Sequence, residues 1–373
     1  MNAPARLRVA MTLEQFWHRV PGGTAVAAFG MARALANDDL DLIGVTARHG
    51  GPPQERWALP IQMTELFLPR RLLYESWHRL RWPRVERATG TVDVIHATTL
   101  AVPPRSAPLV VTIHDLAWIE YPAHFTRRGL AFFRRGLASA LRDADLVLCP
   151  SQATLEACRN RGFEESRLRL VPLGVAVETT SDEDLARVRA RYELSGPYIM
   201  WTGTIEPRKN LRGLVAAYAS LETDHDLVLV GPKGWNEDID SVVRVSGAQR
   251  LRSKVKALGF VPEEDLRALY AGAEVFCYPS LLEGFGFPVL EAMAQGTPVV
   301  TSIATSTQEL ATDAAVLVDP KSPNSIAEGL ASVLSDPGFA ARLATEGRAR
   351  AAEYPWSRTA GLLQDAYREV AQG

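Results

Sequence analysis

The sequence predicts an α/β protein of two Rossmann-like, doubly wound domains that face each other across a cleft. The chain has 373 residues, of which 47% are hydrophobic, so it is long enough for two hydrophobic cores. Runs of β-branched residues bounded by Gly, Pro and Asp alternate with helical patterns, which is typical of parallel strands covered on both faces. The order strand, glycine turn, helix, which opens a doubly wound domain, occurs twice.

The first of these opening units lies at the amino terminus. LRVAMTL reads as a strand, Pro21, Gly22 and Gly23 as a turn, and the alanine-rich run from Thr24 to about Ala36 as a helix. The spacing is not Gly-x-Gly-x-x-Gly, so the fingerprint of a dinucleotide site is absent. The two glycines either admit a phosphate or simply make a turn. Further strands are predicted at DLIGVTA, VDVIHATT, PLVVTIHD, ADLVLCPS and LRLVPLG.

Polar residues at the carboxyl ends of these strands are predicted to point at the cleft. They are His96, the pair His114 and Asp115, and Ser151. Ligands bind at this edge of open parallel sheets. A single histidine is more often structural than catalytic, but His114 next to Asp115 at a strand end is a candidate for chemistry.

A basic amphipathic stretch spans residues 66–87, where Leu73, Trp77 and Leu80 recur at helical spacing among arginines. It fits an ordinary surface helix, which we favour, or a helix that lies on a membrane surface. The first 175 residues hold 22 arginines, no lysine and 16 acidic residues, a net charge of +6, although the whole chain carries -2. This half could face anionic lipid or a phosphorylated substrate, or the excess could be a solvated surface.

A second domain begins after a looser pattern at residues 173–195, which divides the chain into domains of residues 1–175 and 176–355. YIMWTG reads as a strand, Gly203 lies in the loop after it, and Asn210 is a plausible helix N-cap. Further strands are predicted at DLVLVG, KVKALG, AEVFCYPS, TPVVTS and AAVLVDP. The buried stripe of the helix after Asn210 is predicted to be Leu211, Leu214 and Tyr218.

The stretch with most information about function is LLEGFGFPVLEAMAQGTPVV, residues 281–300. Glu283 and Glu291 stand eight positions apart around a Gly-Phe-Gly turn at the end of a predicted buried strand, and Pro288 suits the first turn of a new helix. Glycines let backbone N–H groups approach a ligand, and a helix start offers free donors. A polyhydroxylated, anionic ligand would suit this turn. The alternative is that the glycines only make a tight turn, with Glu283 as a partner of the helix dipole and Glu291 as an exposed helix residue.

Arg208 and Lys209 precede the helix that starts after Asn210. Cations there are unfavourable to the helix dipole unless an anion lies between. Lys209 is also the first lysine in the chain, which otherwise uses arginine as its cation. The pair therefore indicates a phosphate site, with an exposed loop pair as the alternative.

With these residues assembled, the chain resembles the retaining GT-B glycosyltransferases of family 4, also called glycosyl transferases group 1. The resemblance covers nearly the whole chain, and its Glu-x7-Glu segment after KALGFVPEEDL is specific. The VTIHDLAWIEYPAHF stretch looks most like mannosyltransferase-type members. Other matching segments are PGGTAVAAFGMARAL, LCPSQAT, GTIEPRKNL, LVLVGPKGW and EYPWSRTAGLLQDAYREV.

The resemblance implies roles for individual residues. Arg208 and Lys209 would bind the donor diphosphate, Glu283 the hydroxyls of the transferred sugar, and Glu291 the ribose, while His114 would sit beside the transferred sugar. The implied catalytic residues are His114, Arg208, Lys209 and Glu283. The implied donor-binding residues are Gly22, Gly23, Gly203, Arg208, Lys209, Phe260, Val261, Glu283, Gly284, Phe285, Gly286 and Glu291.

The implied activity is retaining transfer of a hexose from a nucleoside-diphosphate sugar, with GDP-mannose as first choice, to a hydroxyl of a glycan, glycolipid or small-molecule acceptor. The sugar's phosphate leaves as an anion, so stabilising it is the main requirement. If a donor phosphate oxygen takes the acceptor's proton, the two-carboxylate geometry of glycoside hydrolases is not needed. The alternatives are a nucleotide-sugar epimerase of the same fold and a non-catalytic nucleotide-sugar-binding protein.

Two further features follow from the resemblance. The family commonly has proline before the glutamate that Glu309 matches, whereas this chain has Gln308, which leaves the shape of that loop and the choice of donor open. The terminal helix, from Trp356 to about Val370 within residues 356–373, is expected to cross back onto the first domain, because its apolar face needs a partner.

We expect no bound metal, no cofactor besides the donor, and no nucleic-acid partner. Asp-x-Asp pairs, which hold a metal in the other major glycosyltransferase fold, are interpreted here as surface turns. These pairs are Asp39/Asp41, Asp143/Asp145, Asp224/Asp226 and Asp238/Asp240. The three cysteines form no CxxC pair, and neither a secretory signal nor a membrane span is evident. The expected location is cytoplasmic, with peripheral contact to the inner face of the membrane as an open alternative.

Overall fold

The computed structural model describes residues 6–18, 22–36, 40–232, 242 and 253–372. The chain forms two compact units, residues 1–174 with 356–373 and residues 175–355. Each unit has a parallel sheet flanked by helices, so the predicted α/β architecture is confirmed.

The first unit is built on a seven-stranded sheet. Its strands are β1 (Leu7–Thr12), β2 (Leu40–Thr46), β3 (Gln62–Glu65), β4 (Val94–Ala97), β5 (Leu109–Thr112), β6 (Leu146–Cys149) and β7 (Leu168–Leu170). They lie in the order β3-β2-β1-β4-β5-β6-β7, with parallel neighbours. Strands β4, β5 and β6 are entirely buried, as expected for a sheet covered on both faces.

The helices of this unit follow the strands. They are α1 (Gly23–Leu35), α2 (Arg70–Leu80), α3 (Glu86–Thr89), α4 (Ala117–Glu120), α5 (Arg127–Asp143) and α6 (Gln152–Arg159). Helix α1 begins one residue before the predicted Thr24. Strand β3 was not predicted, because its sequence QMTE is polar, short and mostly exposed at the sheet edge.

One predicted helix face is wrong. Leu73 and Trp77 of α2 are buried, but Leu80 is 72% exposed. Helix α2 ends at Leu80 because Arg81 adopts a left-handed conformation with φ of 52°. The guanidinium of Arg81 bonds to the carbonyl oxygens of Trp77 and Val102, and Leu80, the last residue of the helix, faces solvent.

Two of the polar residues expected to point at the cleft are structural. His96 is fully buried and its ring nitrogens bond to the hydroxyls of Tyr367 and Thr112, at 2.7 and 2.8 Å. Ser151 is the N-cap of α6 and accepts from the backbone N–H of Thr154. A polar residue at the end of a strand can bond within the protein or to a ligand, and its position in the sequence does not show which.

The second unit is built on a six-stranded sheet. Its strands are β8 (Tyr198–Thr202), β9 (Asp226–Val230), β10 (Val255–Gly259), β11 (Val275–Tyr278), β12 (Val299–Ser302) and β13 (Val316–Val318). Their order is β10-β9-β8-β11-β12-β13, again with parallel neighbours.

Helices pack around this second sheet. They are α7 (Asp182–Arg191), α8 (Leu211–Ser220), α9 (Glu263–Ala271), α10 (Phe287–Gln295), α11 (Ser306–Ala311), α12 (Pro323–Ser335) and α13 (Pro337–Ala352). Asn210 caps α8 as predicted, and the predicted stripe of Leu211, Leu214 and Tyr218 is buried. Pro288 lies in the first turn of α10, also as predicted.

The terminal helix α14 (Trp356–Gln372) packs on the first unit, so its predicted return is confirmed. Trp356 lies against two glycines: a Cβ at Gly30 would come within 2.1 Å of its ring, and one at Gly174 within 2.6 Å of its backbone. The hydroxyl of Tyr367 reaches His96 of β4. Within the described residues, no helix combines the length and apolar character needed to cross a bilayer.

Candidate active site

A cluster of opposite charges joins the loops after β8 and β11. Lys209 Nζ lies 2.7 Å from Glu283 Oε1, and Arg208 Nη1 lies 3.1 Å from Glu283 Oε2. Tyr278 donates its hydroxyl to Glu283 Oε1 at 3.0 Å, and Arg208 Nη2 also bonds to Glu206 at 2.7 Å. The structure therefore brings together three of the four predicted catalytic residues.

Local backbone geometry holds the two cations in place. They belong to a single 3-10 turn, Pro207–Lys209, that ends at Asn210 in a left-handed conformation with φ of 55°. The side-chain amide of Asn210 donates to the carbonyl oxygens of Pro279 and Pro320. Asparagine tolerates this conformation better than most residues. The turn is thus fastened to the loops after β11 and β13.

The cluster is largely shielded from water. The side chains of Arg208, Lys209 and Glu283 are only 14, 13 and 8% exposed, so the alternative of an exposed loop pair is wrong. Burial alone would raise the pKa of the Glu283 carboxyl, but Lys209 and Arg208 outweigh burial and hold this pKa at about 2. Burial lowers the pKa of Lys209, against the opposing effect of Glu283. Glu283 is therefore a fixed anion that accepts hydrogen bonds and is a weak base.

The Gly-Phe-Gly turn after Glu283 is anchored by α11. The buried hydroxyl of Ser306 lies 2.8 Å from the carbonyl oxygens of both Glu283 and Phe285. Gly286 has φ of 114°, and a Cβ there would come within 2.8 Å of Thr307, so only glycine fits. The Phe285 ring is buried against Phe287 and Tyr354, so this side chain is not exposed to a ligand.

Gln308 has a defined structural role where the family commonly has proline. Its side-chain oxygen accepts a hydrogen bond from the backbone N–H of Ala304 at 2.6 Å, a bond that proline could not make. Ala304 has φ of 56°, an unfavourable conformation for a residue with a Cβ. Gln308 therefore stabilises the loop before α11, whose first residue, Ser306, binds the Glu283 turn.

Glu291 lies on α10, partly buried, with Tyr270 donating to its Oε2 at 2.9 Å. Burial raises the pKa of the Glu291 carboxyl to about 7, and Glu263 adds to this while the Tyr270 hydroxyl opposes it. The alternative of an exposed helix residue is therefore wrong. The two glutamates of the Glu-x7-Glu segment have opposite electrostatic environments: cations surround Glu283 and none is bonded to Glu291 among the described residues.

The remaining predicted donor residues of this unit differ in exposure. Gly203 has φ of 150°, and a Cβ there would lie 3.8 Å from the Lys209 side chain. Gly231, which was not predicted, packs so closely that a Cβ would come within 2.0 Å of the Gly203 carbonyl oxygen. Phe260 is 63% exposed, whereas Val261 is buried. The resemblance implies that this pair receives the base of the donor, and of the two only Phe260 has an exposed side chain.

The predicted residues of the first unit are Gly22, Gly23 and His114. Gly22 is the N-cap of α1 and Gly23 its first residue. His114 Nε2 lies 2.9 Å from the carbonyl oxygen of Thr98, and since a carbonyl can only accept, Nε2 carries the hydrogen. Burial lowers the pKa of His114, although Thr98 and Asp115 oppose this. The imidazole is thus neutral, and Nδ1 is an acceptor.

The described Asp-x-Asp residues form ion pairs. Asp143 pairs with Arg81, Asp145 with Arg105, Asp224 with Lys254 and Asp226 with Lys256, while Asp41 pairs with Arg8. Asp39, Asp238 and Asp240 lie outside the described residues. No cluster of three or more His, Cys, Asp or Glu side chains suited to a metal occurs in the described parts of the chain.

Four residues of the site were not found from the sequence. They are Glu206, Tyr270, Tyr278 and Ser306, and each bonds directly to a predicted residue or its backbone. Tyr278 ends the apolar run of β11, so it looks like a core aromatic. Its position immediately before the Pro-Ser turn that leads to Glu283 was the available signal.

Known proteins resemble this chain along both units. Residues 21–179 match the family model described as Glycosyltransferase Family 4, and residues 183–350 match the model described as Glycosyl transferases group 1. The O-antigen chain mannosyltransferase B of Escherichia coli is 31% identical over 314 residues, covering 81% of this chain and 82% of that protein. The chain belongs to glycosyltransferase family 4. It is a nucleotide-sugar-dependent glycosyltransferase.

Two further proteins are similar to this family 4 chain, one in sequence and one in structure. The serotype-specific mannosyltransferase WbdA of Escherichia coli is 32% identical over 289 residues, which is 74% of this chain and 35% of WbdA, so the chain spans about a third of that relative. The crystal structure of Anabaena HepE in complex with UDP and glucose matches with a TM-score of 0.77 at 20% identity, over 98% of this chain and 100% of that one. The predicted GT-B fold is confirmed by such neighbours.

Proposed function

We propose that this chain transfers a hexose from a nucleoside-diphosphate sugar, with GDP-mannose as first choice, to a hydroxyl of a glycan, glycolipid or small-molecule acceptor, with retention at the anomeric carbon. The observation that carries the proposal is the buried cluster of Arg208, Lys209 and Glu283. The names of the relatives, O-antigen chain mannosyltransferase B and WbdA, support mannose.

Lys209 and Arg208 are suited to bind the donor diphosphate. Among the described residues, Lys209 Nζ bonds to Tyr278 and Glu283, and an ammonium group has a third hydrogen to offer. The negative charge on the phosphate grows as the sugar leaves, and preorganised cations in a site with little water stabilise such charge without reorganising. These cations would therefore contribute more in the transition state than in the bound donor.

Glu283 is suited to bind sugar hydroxyls rather than to act as a base or nucleophile. Its two oxygens are held by Lys209, Arg208 and Tyr278, and its pKa of about 2 makes it a weak base. In the proposed reaction the bond from the anomeric carbon to the donor phosphate breaks, and the bond to the acceptor oxygen forms on the same face. The acceptor's proton passes to the departing phosphate oxygen, so no carboxylate base is required.

His114 and Glu291 complete the proposed donor site. A neutral imidazole with Nδ1 as acceptor can receive a hydroxyl hydrogen of the transferred sugar. Glu291 would accept the ribose hydroxyls, which its carboxylate form does better than its protonated form. The proposed enzyme needs neither a metal ion nor a cofactor besides the donor.

Radiolabelled GDP-mannose tests the proposal, incubated with and without methyl α-mannoside as a model acceptor. We expect label to move to the glycoside only when acceptor is present, and the new linkage to be α by NMR. Conversion of the donor to another nucleotide sugar without acceptor would indicate an epimerase. A β linkage would rule out retention.

A further inference from the structure

Arg350, in the last turn of α13, holds the carboxyl end of α11. Its Nε lies 2.8 Å from the carbonyl oxygen of Leu310, and its Nη2 lies 2.8 Å from that of Glu309. The last carbonyl groups of a helix have no partner within the helix, so these bonds satisfy two groups that α11 leaves open. The Arg350 side chain is only 19% exposed and also pairs with Glu353. Arg350 thus fastens the end of α11 to α13.

The amino end of the same helix holds the Gly-Phe-Gly turn. The hydroxyl of Ser306, the first residue of α11, lies 2.8 Å from the carbonyl oxygens of Glu283 and Phe285. Helix α11 has six residues, about 9 Å along its axis, and a hydrogen-bonded helix of this length transmits a displacement as a rigid element. A shift at Leu310 is therefore carried to Ser306 and on to the turn.

Tyr354 contacts the turn separately. Its ring lies edge-on to the Phe285 ring, with the ring centres 6.2 Å apart and the planes at 65°, and both residues are buried. Aromatic pairs in this arrangement attract each other beyond the effect of their buried area. Because Phe285 belongs to the turn itself, this contact restrains the path of the turn's backbone.

Tyr354 is itself held by its side chain and by its backbone. Arg350 donates from Nη2 to the Tyr354 hydroxyl at 2.8 Å, and the guanidinium lies 5.0 Å from the centre of the ring. The carbonyl oxygen of Tyr354 accepts from the backbone N–H of Val175 at 2.8 Å. Arg350 and Tyr354 are thus bonded to each other, and they connect to the turn twice, once through α11 and once through Phe285.

We propose that Arg350 and Tyr354 are positioning residues for hexose transfer, which hold the backbone of residues 283–286 in place for the sugar of the donor. That they hold the turn follows from the contacts alone, whereas the effect on the sugar rests on the proposed function. The pair should therefore affect binding of the sugar much more than binding of the diphosphate, which is assigned to Arg208 and Lys209.

Hydrogen–deuterium exchange of the ligand-free protein tests whether the pair holds the turn. Residues 281–290 are followed because two of their amides, those of Leu281 and Val289, are hydrogen-bonded. We expect Arg350→Gln and Tyr354→Leu each to speed exchange in this segment by about tenfold, because a lost bond to a charged donor or a lost aromatic contact makes local opening easier. Exchange in β8 should stay unchanged and serves as the internal reference.

Arg342→Gln is the matched control. Arg342 lies on the same helix, pairs with Glu346 and lies over the Phe339 ring at 5.0 Å, all within α13. This variant should exchange like the wild type, as should Tyr354→Phe, which keeps the ring. If a test variant does not fold, Arg350→Lys, which lacks the planar fork of donors, or Tyr354→Met, which lacks the ring, takes its place.

Calorimetry with GDP and GDP-mannose tests the effect on the sugar. In Arg350→Gln and Tyr354→Leu, the Kd of GDP-mannose should rise by about tenfold, whereas the Kd of GDP should stay close to that of the wild type. Arg342→Gln should match the wild type for both ligands. A weakened fold without a specific effect on the turn would change both Kd values alike.

The outcomes separate this proposal from the proposed function. The proposal is overturned if either Arg350→Gln or Tyr354→Leu leaves exchange of residues 281–290 unchanged, if Arg342→Gln speeds that exchange equally, or if the Kd values of GDP and GDP-mannose rise together. Wild-type protein that binds neither ligand would instead refute GDP-mannose as the donor, and the exchange measurement would then decide on its own whether the pair holds the turn.

Discussion

At the scale of single residues, the segment of residues 281–300 holds two glutamates with opposite pKa shifts. The pKa of Glu283 is lowered and the pKa of Glu291 is raised. Glu283 is surrounded by Arg208, Lys209 and the Tyr278 hydroxyl, whereas Glu291 bonds to a neutral tyrosine and faces Glu263. Their pKa values, about 2 and about 7, differ because the neighbours differ. The two residues should therefore respond differently to substitution and to pH.

Lys209→Ala should lower kcat by a factor of about 10². The substitution removes a preorganised cation that would stabilise the negative charge developing on the leaving phosphate. Steady-state kinetics with varied donor measures this. The matched control is Lys256→Ala, another lysine of the same unit in an ion pair, 3.0 Å from Asp226. Wild-type kcat in folded Lys209→Ala protein would end the case for this residue.

Glu291→Gln should stabilise the protein at pH 8 and change little at pH 5. The folded-state pKa of about 7 exceeds the ordinary value of 4.5, so the native state binds a proton more tightly than the unfolded state. The contribution of Glu291 to the free energy of unfolding is thus fully present below pH 4.5 and is lost as the pH rises through 7. Allowing for partial exposure, we expect a gain of about 1–2 kcal/mol at pH 8. Denaturant unfolding at both pH values, with the exposed Glu264→Gln as control, measures it.

Substitution of Glu291 should also affect donor binding. If Glu291 accepts the ribose hydroxyls, its substitution by alanine should raise the donor KM and leave kcat nearly unchanged, because ribose contacts are alike in the ground and transition states. In the wild type, the donor KM should fall as pH rises through about 7. A defect confined to kcat would mean that the assigned role is wrong.

At the scale of elements, the loop before α11 supports the Glu283 turn. Ser306 binds the carbonyl oxygens of Glu283 and Phe285, and Gln308 fixes the loop through the Ala304 N–H. Their effect on the site is through the placement of the Glu283 backbone.

Gln308→Ala should destabilise the protein by about 1 kcal/mol, since it removes a hydrogen bond that resembles a helix cap. We also expect a higher donor KM. Gln308→Glu keeps the accepting oxygen and should therefore retain the stability and the donor KM of the wild type. Thermal melts and donor titrations of the two variants measure this. Equal losses in both would show that the side-chain oxygen is not what fixes the loop.

The elements also show how far sequence reasoning reaches. The buried strands and the Asn210 cap were predicted because apolar periodicity and capping chemistry are local. Strand β3 was not predicted because its sequence is short, polar and mostly exposed. The exposure of Leu80 was not, because α2 ends there, at Arg81, whose guanidinium bonds to the carbonyl oxygens of Val102 and Pro103. The internal bonds of His96 were not, because one partner, Tyr367, belongs to the terminal helix. For the site, Arg208, Lys209, Glu283 and Glu291 were found from the sequence, and their partners Glu206, Tyr270, Tyr278 and Ser306 were not.

At the scale of the whole molecule, a metal-independent reaction is expected. The described Asp-x-Asp residues form ion pairs with arginine or lysine, and in the proposed reaction Arg208 and Lys209 would stabilise the charge of the leaving diphosphate. Transfer should persist in EDTA at an unchanged rate. Loss of activity on chelation that Mg²⁺ or Mn²⁺ restores would contradict this.

The proposed function requires the second unit to bind a nucleoside-diphosphate sugar through the Lys209 and Arg208 cluster. The most direct measurement is a thermal-shift panel of GDP-, UDP- and ADP-sugars with the wild type, Lys209→Ala and Lys256→Ala. A ligand at about 100 times its Kd should stabilise the folded state by roughly 2.7 kcal/mol. We expect one nucleotide class to shift the wild type and Lys256→Ala, but to shift Lys209→Ala much less. No shift with any nucleotide, or an equal shift in all three proteins, would contradict donor binding through this cluster.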